Sequence, residues 1–175
     1  MKNILVFGGS TSKTSINKKL ASYTVTLLQE TSYKVLDLND YPVTIYSVDE
    51  EKNGFPKGAE TLNDEFDNAD GFIISLAEHN GSYTSAFKNL LDWISRKNKK
   101  IFREKPVLLL ATSPGGRGAV SVLNTSANLF PHFGAKVTGT FSLPKFNENF
   151  IEDKLINAEY VAQLQKLVIE FEKEV

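Results

Sequence analysis

The chain has 175 residues, 41% of them hydrophobic, with 20 basic and 21 acidic side chains and a formal net charge of -1. That length suits one domain, residues 1–175, with a real core, and the near-zero charge supplies no global field for nucleic acid or an anionic membrane. No cysteine is present, which excludes disulfides, thiolate catalysis and cysteine metal sites, and with His79 and His132 as the only histidines a metal-ligand cluster has no support.

Taken in chain order, the N-terminus offers Lys2 and then only Ile4-Leu5-Val6-Phe7 as an apolar run. This run is too short for a signal peptide and no later one approaches a membrane span, so a cytoplasmic protein is expected. Ile4 to Phe7 reads as a first strand. The polar loop Gly8 to Ser15 follows, and a helix begins near Ser15, whose hydroxyl caps it and whose apolar side is Leu20, Val25 and Leu28. A second strand is expected at Lys34 to Leu38. Residues 39–57 lack clear periodicity and contain Pro42, Asn53, Gly54 and Pro56, the composition of a lid, a binding loop or an interface element.

Then come a helix over Ala59 to Asn68, a strand over Gly71 to Leu76, the loop Ala77 to Tyr83 and a helix over Ser85 to Ser95. A fourth strand, Val107 to Ala111, leads through the loop Thr112 to Gly118 into a helix over Ala119 to Phe133. The last strand is Lys136 to Phe141 and the last helix Asp153 to Glu172. Strict alternation of this kind predicts an α/β fold, a flavodoxin-like three-layer sandwich with a five-stranded parallel sheet in the order 2-1-3-4-5. Its ligand site lies where strands 1 and 3 diverge, and the three polar loops all follow strands that end there.

Each loop suggests part of a site. In the first, Gly9 lets backbone approach closely, while Ser10, Thr11, Ser12 and Ser15 present hydroxyls before a helix N-terminus that favours an anion such as a phosphate monoester. It is neither a Walker A motif nor G-x-G-x-x-G, and a solvated turn with a serine cap is the plain alternative. In the second, His79 and Tyr83 offer rings, and backbone around Asn80 offers hydrogen bonds to a heterocycle. In the third, Pro114 presets a turn, and Gly115, Gly116 and Gly118 leave bare backbone against which a planar ring can lie, or simply make a tight turn.

Gly9-Ser10-x-x-x-x-Ser15-x-Asn17-x-x-Leu20 resembles the first motif of the NADPH-dependent FMN reductase family of flavodoxin-like oxidoreductases, which includes quinone, chromate and azo-dye reductases. Glu78-x-Asn80-x-Ser82, running on into Phe87-Lys88-Asn89-x-x-Asp92-Trp93, resembles the second motif, and Ser113-Pro114-Gly115-Gly116-x-Gly118 the third. The resemblance implies one FMN per subunit and NADPH or NADH as electron donor. It also implies hydride transfer through flavin N5 to a small acceptor, so no side chain is assigned as catalytic. It further implies Ser10, Ser12, Ser15, Ile16 and Asn17 around the phosphate, Glu78, His79, Asn80, Ser82 and Tyr83 at the isoalloxazine, and Ser113, Pro114, Gly115, Gly116 and Gly118 along its other edge. Family members form dimers or tetramers in which a neighbouring subunit helps close the site. Two positions depart from the pattern: Ser12 stands where many members have arginine, and Ala77-Glu78-His79-Asn80 where many have Pro-Glu-Tyr-Asn.

The densest positive run, Arg96-Lys97-Asn98-Lys99-Lys100 with Arg103 and Lys105, reads as a solvated helix end, with a contact to the 2′-phosphate of NADPH as the alternative. Trp93 reads as core or interface. A non-catalytic flavodoxin-type electron carrier is the competing function, and a strongly acidic surface around the flavin is expected of it.

Overall fold

The computed structural model describes residues 2–175. In chain order it contains β1 (Asn3–Gly8), α1 (Ile16–Thr24), β2 (Ser32–Val35), α2 (Val48–Lys52), α3 (Lys57–Asp67), β3 (Gly71–Leu76), β4 (Glu78–His79) and β5 (Ser82–Tyr83). These are followed by α4 (Ser85–Lys97), β6 (Lys105–Thr112), α5 (Val120–Leu129), β7 (Ala135–Leu143), α6 (Phe146–Asn149), β8 (Phe150–Ile151), β9 (Lys154–Leu155) and α7 (Ala158–Glu174). Five strands form one parallel sheet in the order β2-β1-β3-β6-β7, the expected 2-1-3-4-5 once the two small ribbons β4–β5 and β8–β9 are set aside.

Successive residues of β1 point to opposite faces, as the pleat requires. Leu5 and Phe7 join Phe66, Phe72, Phe102 and Phe130 on one side of the sheet, while Ile4 and Val6 join Leu20, Phe141, Leu164 and Phe171 on the other. Both faces are covered, so β3 is buried along its whole length and reads as an apolar run interrupted only by Ser75.

Several boundaries differ from the sequence reading, each for a local reason. The second strand is Ser32–Val35 and not Lys34 to Leu38, because Asp37 accepts from the Asn39 amide and starts a 3-10 turn at Leu38. The fifth helix stops at Leu129 and tightens into a 3-10 turn through Phe133, where Pro131 has no amide to continue an α-helix. The last helix begins at Ala158, capped by the side chain of Asn157, while Asp153 sits with Glu152 in the β8–β9 turn, both with positive φ.

The aperiodic stretch over 39–57 is pinned to the outside of α4. Trp93 Nε1 donates to the Thr44 carbonyl at 2.8 Å, and Asn89 donates to the same carbonyl at 2.9 Å and accepts from the Tyr46 amide at 2.8 Å. Tyr46 and Phe55 meet the indole edge-on at 5.2 and 5.4 Å, leaving Trp93 fully buried.

At the opposite end, the Glu172 carboxylate of α7 accepts from the Gln29 amide at 3.1 Å, the Glu30 amide at 3.0 Å and the Thr31 hydroxyl at 2.9 Å. It thereby fastens the turn that leads into β2. Glu172→Ala is expected to lower the unfolding free energy by about 1–3 kcal/mol in urea titrations, the range for hydrogen bonds to a charged group. An unchanged midpoint would mean that water replaces these bonds at no cost.

Candidate functional site

The first loop is built on a close approach of helix to strand. A Cβ at Gly8 would stand 2.6 Å from the Lys18 backbone nitrogen, so only glycine lets α1 settle on the end of β1. Gly9, where the sequence suggested the close approach, would meet nothing nearer than 3.5 Å. Its backbone instead ties the loop to β3 and to the cap of α4: its amide donates to Ser75 O and its carbonyl accepts from Thr84 Oγ1, both at 2.8 Å. Thr84 also caps α4 through the Phe87 amide, which ties the start of α4 to the first loop.

Ser15 caps α1, its Oγ accepting from the Lys18 amide at 3.1 Å, and Ser10 Oγ accepts from the Ser12 amide at 3.1 Å. A hydroxyl that accepts still has a proton to give, and the first-turn amides of Ile16 and Asn17 have no carbonyl one turn earlier to bond. The loop therefore presents donors and the positive end of a helix dipole.

Asn17 lies 3% exposed behind this loop. Its Nδ2 donates to Thr112 O at 3.1 Å, and its Oδ1 accepts from Ser75 Oγ at 2.7 Å and from the Thr112 amide at 3.1 Å. One side chain thus joins α1 to the tips of β3 and β6. What Asn17 leaves for a phosphate is chiefly its backbone amide.

The second loop is a miniature hairpin. Glu78 pairs with Tyr83 and His79 with Ser82 around Asn80-Gly81, both of which have positive φ as a type I′ turn requires. Glu78 Oε2 accepts from the Val122 amide at 3.0 Å in the first turn of α5. Tyr83 turns away from the crevice toward the core: its ring stacks on Phe130 at 6.1 Å, its hydroxyl lies 3.2 Å from Ser126 Oγ, and burial raises its pKa. His79 is exposed on the ribbon.

In the third loop Gly118 has a φ of +57°, and a Cβ there would stand 2.4 Å from Ser142 Oγ, so it serves the turn into α5 and the packing against β7. Gly115 and Gly116 differ. Neither has a positive φ, and an added Cβ would meet only Ser113 Oγ at 4.0 Å in one case and nothing within 4 Å in the other. No internal packing accounts for their bareness.

The loops enclose a crevice of about 240 Å³ lined by Ser10, Ser12, Ser15, Ile16, Asn17, Glu78, His79, Ser113 and Pro114, all expected from the sequence. Thr14, Ala77 and Thr112 complete it and were not among the expected site residues, although each adjoins one that was. Asn80, Ser82, Tyr83, Gly115, Gly116 and Gly118 lie outside this lining. It holds no lysine or arginine. Most of the cationic run at and beyond the end of α4 is paired elsewhere, Arg96 with Glu51, Lys97 with Glu60, Lys100 with Glu104 and Arg103 with Asp67.

A family model, NADPH-dependent FMN reductase, matches residues 2–148. An uncharacterised protein of Mycoplasma pneumoniae is 27% identical over 162 residues, which are 90% of this chain and 93% of that protein. A quinone reductase of Escherichia coli K12 is 29% identical over 114 residues, 65% of this chain, and the match spans only 59% of that relative. Among solved structures, the flavoenzyme NAD(P)H:(acceptor) oxidoreductase FerB from Paracoccus denitrificans superposes with a TM-score of 0.78 at 25% identity, covering 99% of both chains.

Proposed function

The chain belongs to the NADPH-dependent FMN reductase family, and on that premise we propose that it seats the FMN phosphate in the loop before α1 and the flavin ring between the β4–β5 hairpin and the loop after β6. It is an FMN-dependent NAD(P)H oxidoreductase. When bound, FMN supplies the two-electron chemistry between NAD(P)H and a small oxidised acceptor.

The residues present suit that group. Ser10, Ser12, Thr14 and Ser15 and the amides of Ile16 and Asn17 bind the phosphate through neutral donors, since Ser12 brings no charge. Ala77, Glu78 and His79 bound one edge of the ring, and Ser113, Pro114 and the bare Gly115-Gly116 the other. Glu78 keeps these two walls in register through the Val122 amide. His79, exposed at the ribbon, tunes the ring's surroundings and the acceptor's fit and is not an obligatory acid.

At about 240 Å³ the crevice is smaller than sites that enclose a ligand. One face of the ring stays open to donor and acceptor, and a neighbouring subunit of a homodimer or homotetramer helps close the rest of the site. No helix among the described residues is long and apolar enough to cross a membrane, and we place the protein, one domain over 1–175, in the cytoplasm.

The observation that carries this reading is the convergence of hydroxyls and helix amides on one part of the crevice, with Ala77, Glu78, His79, Ser113 and Pro114 walling the rest. Titration of apoprotein tests it: FMN is expected to bind at least about 100-fold more tightly than riboflavin, the equivalent of two charge-assisted hydrogen bonds. Equal affinity would remove the phosphate from the site.

A further inference from the structure

A second crevice, of about 460 Å³, lies on the outer face of α1. Lys13, Thr14, Ser15, Lys18, Lys19, Ser22, Tyr23, Thr26 and Asp153 line it. Thr14 and Ser15 also line the crevice already described, so the two adjoin at the N-terminus of α1. The new crevice extends from the phosphate end of that site, not from its ring end.

The lining is chemically one-sided. Positions 18, 19, 22 and 26 recur at helical spacing and present a polar, partly to fully exposed face. Of the three lysines, Lys18 is engaged by Asp37, whose carboxyl it holds down at about 2, and Lys19 lies 3.5 Å from Asp153. Lys13 has no ion pair among the described residues. With Asp153 as the one acidic group in the lining, the balance is positive. Tyr23, edge-on to Phe150 at 5.8 Å, puts an aromatic ring in the wall. Asp153 belongs to the β8–β9 ribbon, which lies beyond the residues that the family model matches.

We propose that this crevice is a second phosphate subsite, built for the adenosine-phosphate half of a dinucleotide. Lys13 and Lys19 meet the phosphate, the hydroxyls of Ser22 and Thr26 meet the sugar, and the Tyr23 ring meets the base. Adenosine phosphate has two possible carriers, FAD in place of FMN or the NAD(P)H donor, and the adjacency of the two crevices at Thr14 and Ser15 suits either. The proposal rests on the placement of the FMN phosphate before α1.

Calorimetric titrations of the whole chain and of the double variant K13E/K19E decide it. If the flavin carries the adenosine, apoprotein binds FAD at least about tenfold more tightly than FMN, and the double variant loses that preference while FMN affinity holds. If the donor carries it, FMN-loaded protein binds ADP or 2′,5′-ADP in competition with NAD(P)H, and the double variant weakens that binding about tenfold. No preference for FAD, together with no binding of either ADP, overturns the proposal, as does binding that the double variant leaves unchanged. Riboflavin binding as tightly as FMN would instead sink the phosphate placement, a result the ADP titration does not depend on.

Discussion

Asn17→Ala is expected to lower the unfolding free energy by about 3–5 kcal/mol, far beyond its effect on any single contact with a ligand. Asn17 is buried and satisfies three groups at once, the Ser75 hydroxyl and both backbone groups of Thr112. Alanine leaves all three inside without a partner, and each such loss costs about 1–3 kcal/mol, less than additively within one network. The molecule tolerates little of this elsewhere: among the described residues no buried side-chain nitrogen or oxygen lacks a hydrogen-bond partner. Ser10→Ala makes the contrast. Its hydroxyl takes only the exposed Ser12 amide, so FMN should weaken by about 1–3 kcal/mol while the urea midpoint stays where it was. An Asn17→Ala protein of wild-type stability that had lost only FMN affinity would show that the side chain faces the cofactor after all.

Gly8→Ala is expected to cost about 3 kcal/mol of stability and to weaken FMN in the protein that remains folded. The added methyl would stand 2.6 and 2.9 Å from the backbone N and Cα of Lys18, and backbone, unlike a side-chain tip, has no rotamer by which to retreat. Helix α1 must therefore move off β1, and Ser15 with the first-turn amides moves with it. Gly9→Ala serves as the control. Its methyl would find ordinary contacts with Phe87 and Ala77, so a change under about 1 kcal/mol is expected. Thermal unfolding of both variants, with and without FMN, measures the difference. Equal tolerance at the two positions would show that the helix packs more loosely than the distances imply.

Much of the fold was legible because its signals are local. Runs such as Gly71–Leu76, with Ser75 its only hydroxyl, and Val107 to Ala111 are buried and read as largely apolar sequence, and loops between such strands and helices had to lie at the sheet's C-terminal edge. Polar ends were read less well. Asp153 looked like a helix start, but Asn157 took that role because a ribbon intervenes. The Asn80-Gly81 pair carried a hairpin signal that was read only as a polar loop.

The sequence by itself determined the α/β alternation, the strand order and the three loops that form the crevice, since periodicity and turn chemistry are written in neighbouring residues. Only the tertiary structure decided what each polar side chain in those loops does. Asn17 and Thr112 are 95 positions apart, Glu78 and Val122 are 44, and Tyr83 and Ser126 are 43. A hydroxyl, amide or carboxylate has the same composition whether it faces a ligand or closes a bond within the protein. Which it does depends on the partner that folding brings within about 3 Å, and chain spacing does not encode that distance.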